Sequence, residues 1–114
     1  MSITTAVRQV GNITILDITG RITLGEGSSA FRDAIRDLVN EGRTKILLNM
    51  ADVSYVDGSG VGELVSAFTT VTNKGGQLKI LNLTRKVKDL LQITKLYTDF
   101  DVHYEEAKAI RSFR

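Results

Sequence analysis

Apolar and polar positions alternate along this chain in short runs, punctuated by glycine, and the change of period marks the elements. The first two apolar runs, residues 3–10 and 12–20, meet at Gly11-Asn12. That dipeptide supplies the positive φ a tight hairpin needs, so two antiparallel strands are predicted. Asn12 to Thr19 is rich in β-branched residues, as strands are. Residues 20–27, Gly-Arg-Ile-Thr-Leu-Gly-Glu-Gly, read as a loop. From Ser28 or Ser29 the spacing of Phe31, Ala34, Ile35, Leu38 and Val39 predicts a helix, with either serine able to cap its start and Gly42 placed to end it. Lys45 to Met50 is a short apolar run without clean alternation, the pattern of a central strand covered on both faces.

A second helix carries Val61, Leu64, Val65 and Phe68 on one stripe and stops at Gly75-Gly76. Gln77 to Leu83 alternates as a strand with Leu78 and Ile80 on one face. Thr84 can cap a third helix with the stripe Val87, Leu90, Leu91 and Thr94, followed by a strand near 99–104 and a short helix from Glu105. Strands alternating with helices imply an α/β fold with parallel pairs joined by right-handed crossovers, and the opening hairpin makes the sheet mixed. No repeat, linker or low-complexity segment interrupts the chain, so residues 1–114 are expected to form one domain.

Composition narrows the chemistry. The 114 residues are 42% apolar and 25% charged, enough to bury one core without a disulfide or metal. Cysteine is absent, which excludes thiol catalysis and thiolate metal sites, and the one histidine, His103, leaves little for a triad or an imidazole metal site. No metal or cofactor is therefore expected. The formal charge is +2, with six Lys/Arg and seven Asp/Glu in residues 1–57 against nine and six in residues 58–114. That mild excess, densest at Arg85, Lys86 and Lys88, is short of the basic stripe with stacking aromatics that nucleic-acid binding uses. No run of about 18 apolar residues can span a membrane, and Met-Ser-Ile-Thr-Thr lacks the regions of a signal peptide, so a cytoplasmic protein is expected.

The most unusual stretch is Asp52 to Gly62, between a predicted buried strand and an amphipathic helix. Gly58, Gly60 and Gly62 fall within five residues, although each glycine inside a helix costs about 1 kcal/mol relative to alanine. Gly58 and Gly60 would let another backbone, or a phosphate, approach the helix start. Asp57 is placed as an N-cap, with Ser59 in the first turn and its hydroxyl facing solvent. The plainest reading is a capped strand-to-helix turn. A dinucleotide or phosphate site fits poorly, because G-x-G-x-G has neither the Rossmann nor the Walker spacing. A serine hydrolase elbow requires glycine where Asp57 stands.

The run Val-Ser-Tyr-Val-Asp-Gly-Ser-Gly-Val-Gly-Glu-Leu resembles the signature of the STAS domain of bacterial anti-sigma factor antagonists, an aspartate, two hydroxyl residues and then Gly-Leu-Gly. The resemblance extends over the opening hairpin, the Thr19-Gly20 turn, Ile46 to Met50, the Gly75-Gly76 break and Leu78 to Leu81. It implies a STAS-type α/β domain with about four helices and no catalysis of its own. Such a domain binds an anti-sigma factor serine kinase, frees a sigma factor, is phosphorylated on a serine at this helix start and is reset by a PP2C-type phosphatase. The implied partner surface is Asp57, Gly58, Ser59 and Gly60 with Arg21 and Thr23 of the preceding loop; a homodimer is compatible with it. Two departures stand out. The usual acceptor position is Gly58, so Ser59 becomes the candidate acceptor, and Arg21-Ile22-Thr23 stands where the family often has Glu-Leu-Asp. The alternatives are a STAS scaffold or accessory subunit that binds a partner ATPase without phosphorylation and, more distantly, a small-molecule phosphate binder or enzyme.

The remaining polar and aromatic residues have plainer readings. His103 is expected at a strand end, Arg85, Lys86 and Lys88 on a solvated helix face, and Tyr55 and Tyr97 packed.

Overall fold

The computed structural model describes residues 3–114. Strands β1 (Ile3–Val10) and β2 (Ile13–Ile22) form the expected hairpin, with Val10 opposite Ile13 and Gly11 at φ 59. The chain continues through α1 (Glu26–Asn40), β3 (Lys45–Val56), α2 (Gly58–Asn73), β4 (Gln77–Leu81), α3 (Arg85–Ile93), a 3-10 turn (Tyr97–Asp99), β5 (Val102–His103) and α4 (Glu106–Ser112). The sheet order is β1-β2-β3-β4-β5, antiparallel at the hairpin and parallel elsewhere. This is the mixed α/β fold that the pattern predicts.

The two faces of the sheet are covered unequally. Leu16, Ile18, Ile46, Leu48, Met50, Leu78 and Ile80 point to the side packed by Phe31, Ile35 and Leu38 of α1, Leu64, Ala67 and Val71 of α2, and Val87 and Leu91 of α3. On the other side, Ile13, Ile15, Leu47 and Leu81 are closed over by α4 through Ala109, Ile110 and Phe113. Polar contacts hold both ends of this short helix. Arg8 joins Asp17 and Glu106 at one end, and Lys79 reaches the Ser112 carbonyl and hydroxyl and Asp101 at the other. The Arg8 guanidinium, with help from Asn49, holds the Asp17 carboxyl below its ordinary range.

Several boundaries differ from expectation, each for a local reason. Strand β3 runs six residues past Met50, to Val56. Its pairing with β2 shifts between Asp17 and Thr19 and again between Gly20 and Arg21, each time with one extra residue on β3. Such bulges break the period of two: only Met50, Val53 and Val56 of this stretch are buried, three residues apart. The Thr19-Gly20 turn is instead part of β2, opposite the two bulges of β3, with Gly20 at φ 120. Helix α1 begins at Glu26 after Gly25, with no side-chain cap, so neither Ser28 nor Ser29 caps it. In α2 the stripe is Val61, Leu64, Ala67 and Val71, while Val65 is exposed. Thr84 precedes α3 as expected, but its hydroxyl donates to the Val53 carbonyl instead of its own helix. Thr94 ends α3 and is exposed.

Candidate functional site

The site is built where the end of β2 meets the starts of α1 and α2. Two glycines make this convergence possible. A Cβ on Gly60 would collide with the Ile22 carbonyl oxygen and come within 2.6 Å of Val56 Cγ1, and one on Gly27 would collide with the Arg21 carbonyl oxygen. Each helix can therefore press its first turn against the backbone of residues 21–22 only because these positions lack a side chain. Gly58 and Gly62 differ: open space surrounds both, and neither has positive φ.

Asp57 caps α2 from an extended backbone conformation, and its carboxylate organises the site. Oδ1 accepts the Gly60 amide at 2.9 Å and the Ser59 hydroxyl at 2.8 Å, while Oδ2 accepts the Leu24 amide at 2.9 Å. The Leu24 and Gly60 amides, with the Ser59 hydroxyl, hold this carboxyl below the ordinary carboxylate range, outweighing a small opposing effect of burial. One side chain thus begins a helix, orients a hydroxyl and tethers the β2–α1 loop.

Ser59 does not direct its hydroxyl freely into solvent. It is half-buried, and its Oγ lies 2.8 Å from Ser28 Oγ as well as from Asp57. Its single proton is directed to the carboxylate, so Ser28 is the donor across the second contact. Ser28 is only 4% exposed and is the residue that sequence reasoning missed: its place in the Glu-Gly-Ser-Ser run suggested a cap, and nothing local points it at a segment 31 residues away. A further link missed in the sequence is the Arg32–Glu63 ion pair at 2.7 Å, joining α1 to α2 beside the site.

The remaining expected residues lie around this centre. Thr23 is half-buried and its carbonyl accepts the Ser28 amide at 2.9 Å. Arg21 is exposed, its guanidinium carbon 5.8 Å from the centre of the Tyr55 ring, with the Lys86 ammonium 5.7 Å from the same ring. Tyr55, expected to be packed, is instead 38% exposed at the rim. Leu24 is 82% exposed, and a groove of about 340 Å³ lined by Tyr55, Asp57, Gly58, Lys86, Leu90 and Ile93 lies next to the start of α2. Arg85 and Lys86 are solvated as expected, whereas Lys88 is half-buried over Tyr97. His103 ends β5, its Nε2 3.0 Å from Asp101 Oδ1. Among the described residues no helix is long and apolar enough to cross a membrane, and no group of three acidic or histidine side chains is placed to hold a metal ion.

Known proteins share both the sequence and the fold. The chain is 31% identical over 102 residues to the anti-sigma-B factor antagonist of Bacillus subtilis (strain 168), covering 90% of this chain and 92% of that one. An anti-sigma factor antagonist from Mycobacterium paratuberculosis superposes with a TM-score of 0.87 at 17% identity, covering 99% of this chain and 95% of that one. The phosphorylated form of SpoIIAA, a Bacillus cell fate determinant, superposes with a TM-score of 0.71 at 20% identity, covering 95% and 98%. The family profile described as the STAS domain matches residues 4–109, nearly the whole chain and all of the site. By its sequence, its sheet order and its capped glycine-rich helix start, this chain belongs to the STAS domain family.

Proposed function

We propose that this protein is an anti-sigma factor antagonist: it binds an anti-sigma factor serine kinase through the start of α2 and the β2–α1 loop and so frees a sigma factor. The observation that supports it best is the 31% identity to an anti-sigma-B factor antagonist over a stretch of nine-tenths of the chain. The geometry agrees with a docking role. Gly58 and Gly62 weaken α2 without any packing need, and Gly58 leaves an unobstructed backbone next to Asp57, which holds the amide of the exposed Leu24. The protein's part is binding; the chemistry is supplied by the kinase's ATP.

Ser59 is the phosphoacceptor in this reading. Its Oγ attacks the γ-phosphorus of ATP, an Oγ–P bond forms, the bond from that phosphorus to the β–γ bridging oxygen breaks, ADP leaves and the hydroxyl proton is lost. Two negative charges then stand on the docking surface, where the α2 N-terminal dipole tolerates them and an approaching partner does not. A PP2C-type phosphatase hydrolyses the ester and restores the binding form. Asp57, Gly58, Gly60, Arg21 and Thr23 belong to the contact surface, and the exposed Arg21 in place of the family's frequent acidic residue directs recognition to a kinase with a matching acidic group.

The test is to mix the protein with its cognate kinase and ATP and locate the phosphate by mass spectrometry. Phosphate on Ser59, lost in Ser59→Ala, with kinase binding abolished by the modification, is the expected result. A second reading, a scaffold that binds a partner ATPase and is never modified, draws support from the Ser59 hydroxyl being engaged by Asp57 and Ser28. Stable binding with no phosphate on the wild type would establish that reading instead. Failure to bind either such a kinase or any other partner ATPase would sink both.

A further inference from the structure

We infer that Ser28 is a positioning residue for Ser59, a buried latch on α1 that sets how often the Ser59 hydroxyl is presented for modification; this rests on the reading of Ser59 as phosphoacceptor. Ser28 Oγ is buried, and its one hydrogen-bond partner among the described residues is Ser59 Oγ at 2.8 Å. The backbone around it is held firmly. The Ser28 amide donates to the Thr23 carbonyl, and Gly27 beside it rests on the Arg21 carbonyl. Ser28 therefore offers its proton from a fixed point, and Ser59 receives it only in the rotamer that points towards α1.

The two contacts on Ser59 act together. Donation to Asp57 and acceptance from Ser28 fill two directions around Oγ and pin χ1 inward. A nucleophilic hydroxyl has to turn outward, which breaks the Ser28 contact and strands the Ser28 hydroxyl without a partner in a buried position. Stranding a buried donor is costlier than losing an exposed hydrogen bond. The outward rotamer is therefore the minor one, and Ser28 sets its population. At the preceding position a hydroxyl would escape this control, because open space surrounds Gly58. The shift of the candidate acceptor from position 58 to 59 thus exchanges a freely exposed hydroxyl for one under the control of α1.

The experiment compares wild type, Ser28→Ala and, as a control, Ser29→Ala, whose side chain is exposed and makes none of these contacts. Hα–Hβ scalar couplings of Ser59 report χ1 without any kinase. A single rotamer in wild type and Ser29→Ala, averaging in Ser28→Ala, is expected. The initial rate of Ser59 phosphorylation by the cognate kinase should then rise about fivefold in Ser28→Ala, the population change that release of one neutral hydrogen bond allows, with no change in Ser29→Ala. Unchanged couplings in Ser28→Ala, or a rate equal to or below wild type, would overturn the latch. Averaged couplings with no phosphate on Ser59 in any variant would instead show that Ser59 is not the acceptor, and the gating role would fall with it.

Discussion

At the residue scale, three closely spaced glycines do different work. Gly60 is required by contact: a methyl group there meets the Ile22 carbonyl and Val56. Gly60→Ala is expected to destabilise the fold by about 2 kcal/mol or more, as overpacking against backbone does, and to separate α2 from β2. Gly58 and Gly62 have room and ordinary backbone angles. Alanine at either should stabilise by about 0.4–1 kcal/mol, measurable as a higher urea midpoint with unchanged slope, while weakening kinase binding if these positions serve docking. Alanine substitutions that leave both stability and binding unaltered would remove the argument drawn from their open surroundings. Gly58→Ser should fit without distortion and provide a hydroxyl outside the Ser28 latch; mass spectrometry with the cognate kinase is expected to find phosphate on that serine and faster modification than on Ser59.

At the element scale, carboxylates tie the segments together, and their titration gives stability a pH dependence of known sign. Asp57 and Asp17 both have folded-state pKa values lowered by the hydrogen bonds they accept, Asp17 chiefly from Arg8 and Asp57 chiefly from the Leu24 amide. Their contribution is fully present above the unfolded value of about 3.9. It is lost as pH falls through the lower folded values. Urea midpoints should therefore be flat near neutrality and drop below about pH 4, and the drop should be shallower in Asp17→Asn and in Asp57→Asn. Helix α4 gives a second prediction at this scale. It covers Leu47, which is fully buried on the side of the sheet opposite the other helices. Leu47→Ala should cost about 2–5 kcal/mol by chemical denaturation, a core-sized loss on the face that, among the described residues, this short helix covers.

At the scale of the whole molecule, element types and order were legible in the sequence, while the site's internal wiring was not. The hairpin at Gly11-Asn12, the buried run Ile46 to Leu48, the alternating Leu78 and Ile80 and the cap at Asp57 are local signals, readable because each depends on a few neighbouring residues. The second half of β3 was hidden because its two bulges replace alternation with a spacing of three, and bulges are set by pairing with β2. The start of α1 was misplaced because Gly25 and Gly27 look like loop residues until the backbone of Arg21 and Ile22 is seen beneath that turn.

The division follows from the range of the forces involved. Periodicity, turn chemistry and the Asp-Gly-Ser-Gly signature are properties of adjacent residues, and by themselves they determined the α/β class, the order of the elements and the segment that carries the candidate site. Ser28 and Ser59 lie 31 positions apart, and Leu24 and Asp57 lie 33 apart. Only the folded sheet, with two helices pressed against one strand end through Gly27 and Gly60, decided that these groups meet and that the Ser59 hydroxyl is held inward. A hydrogen bond is specific to a few tenths of an ångström, and no pattern along the chain encodes a distance across it.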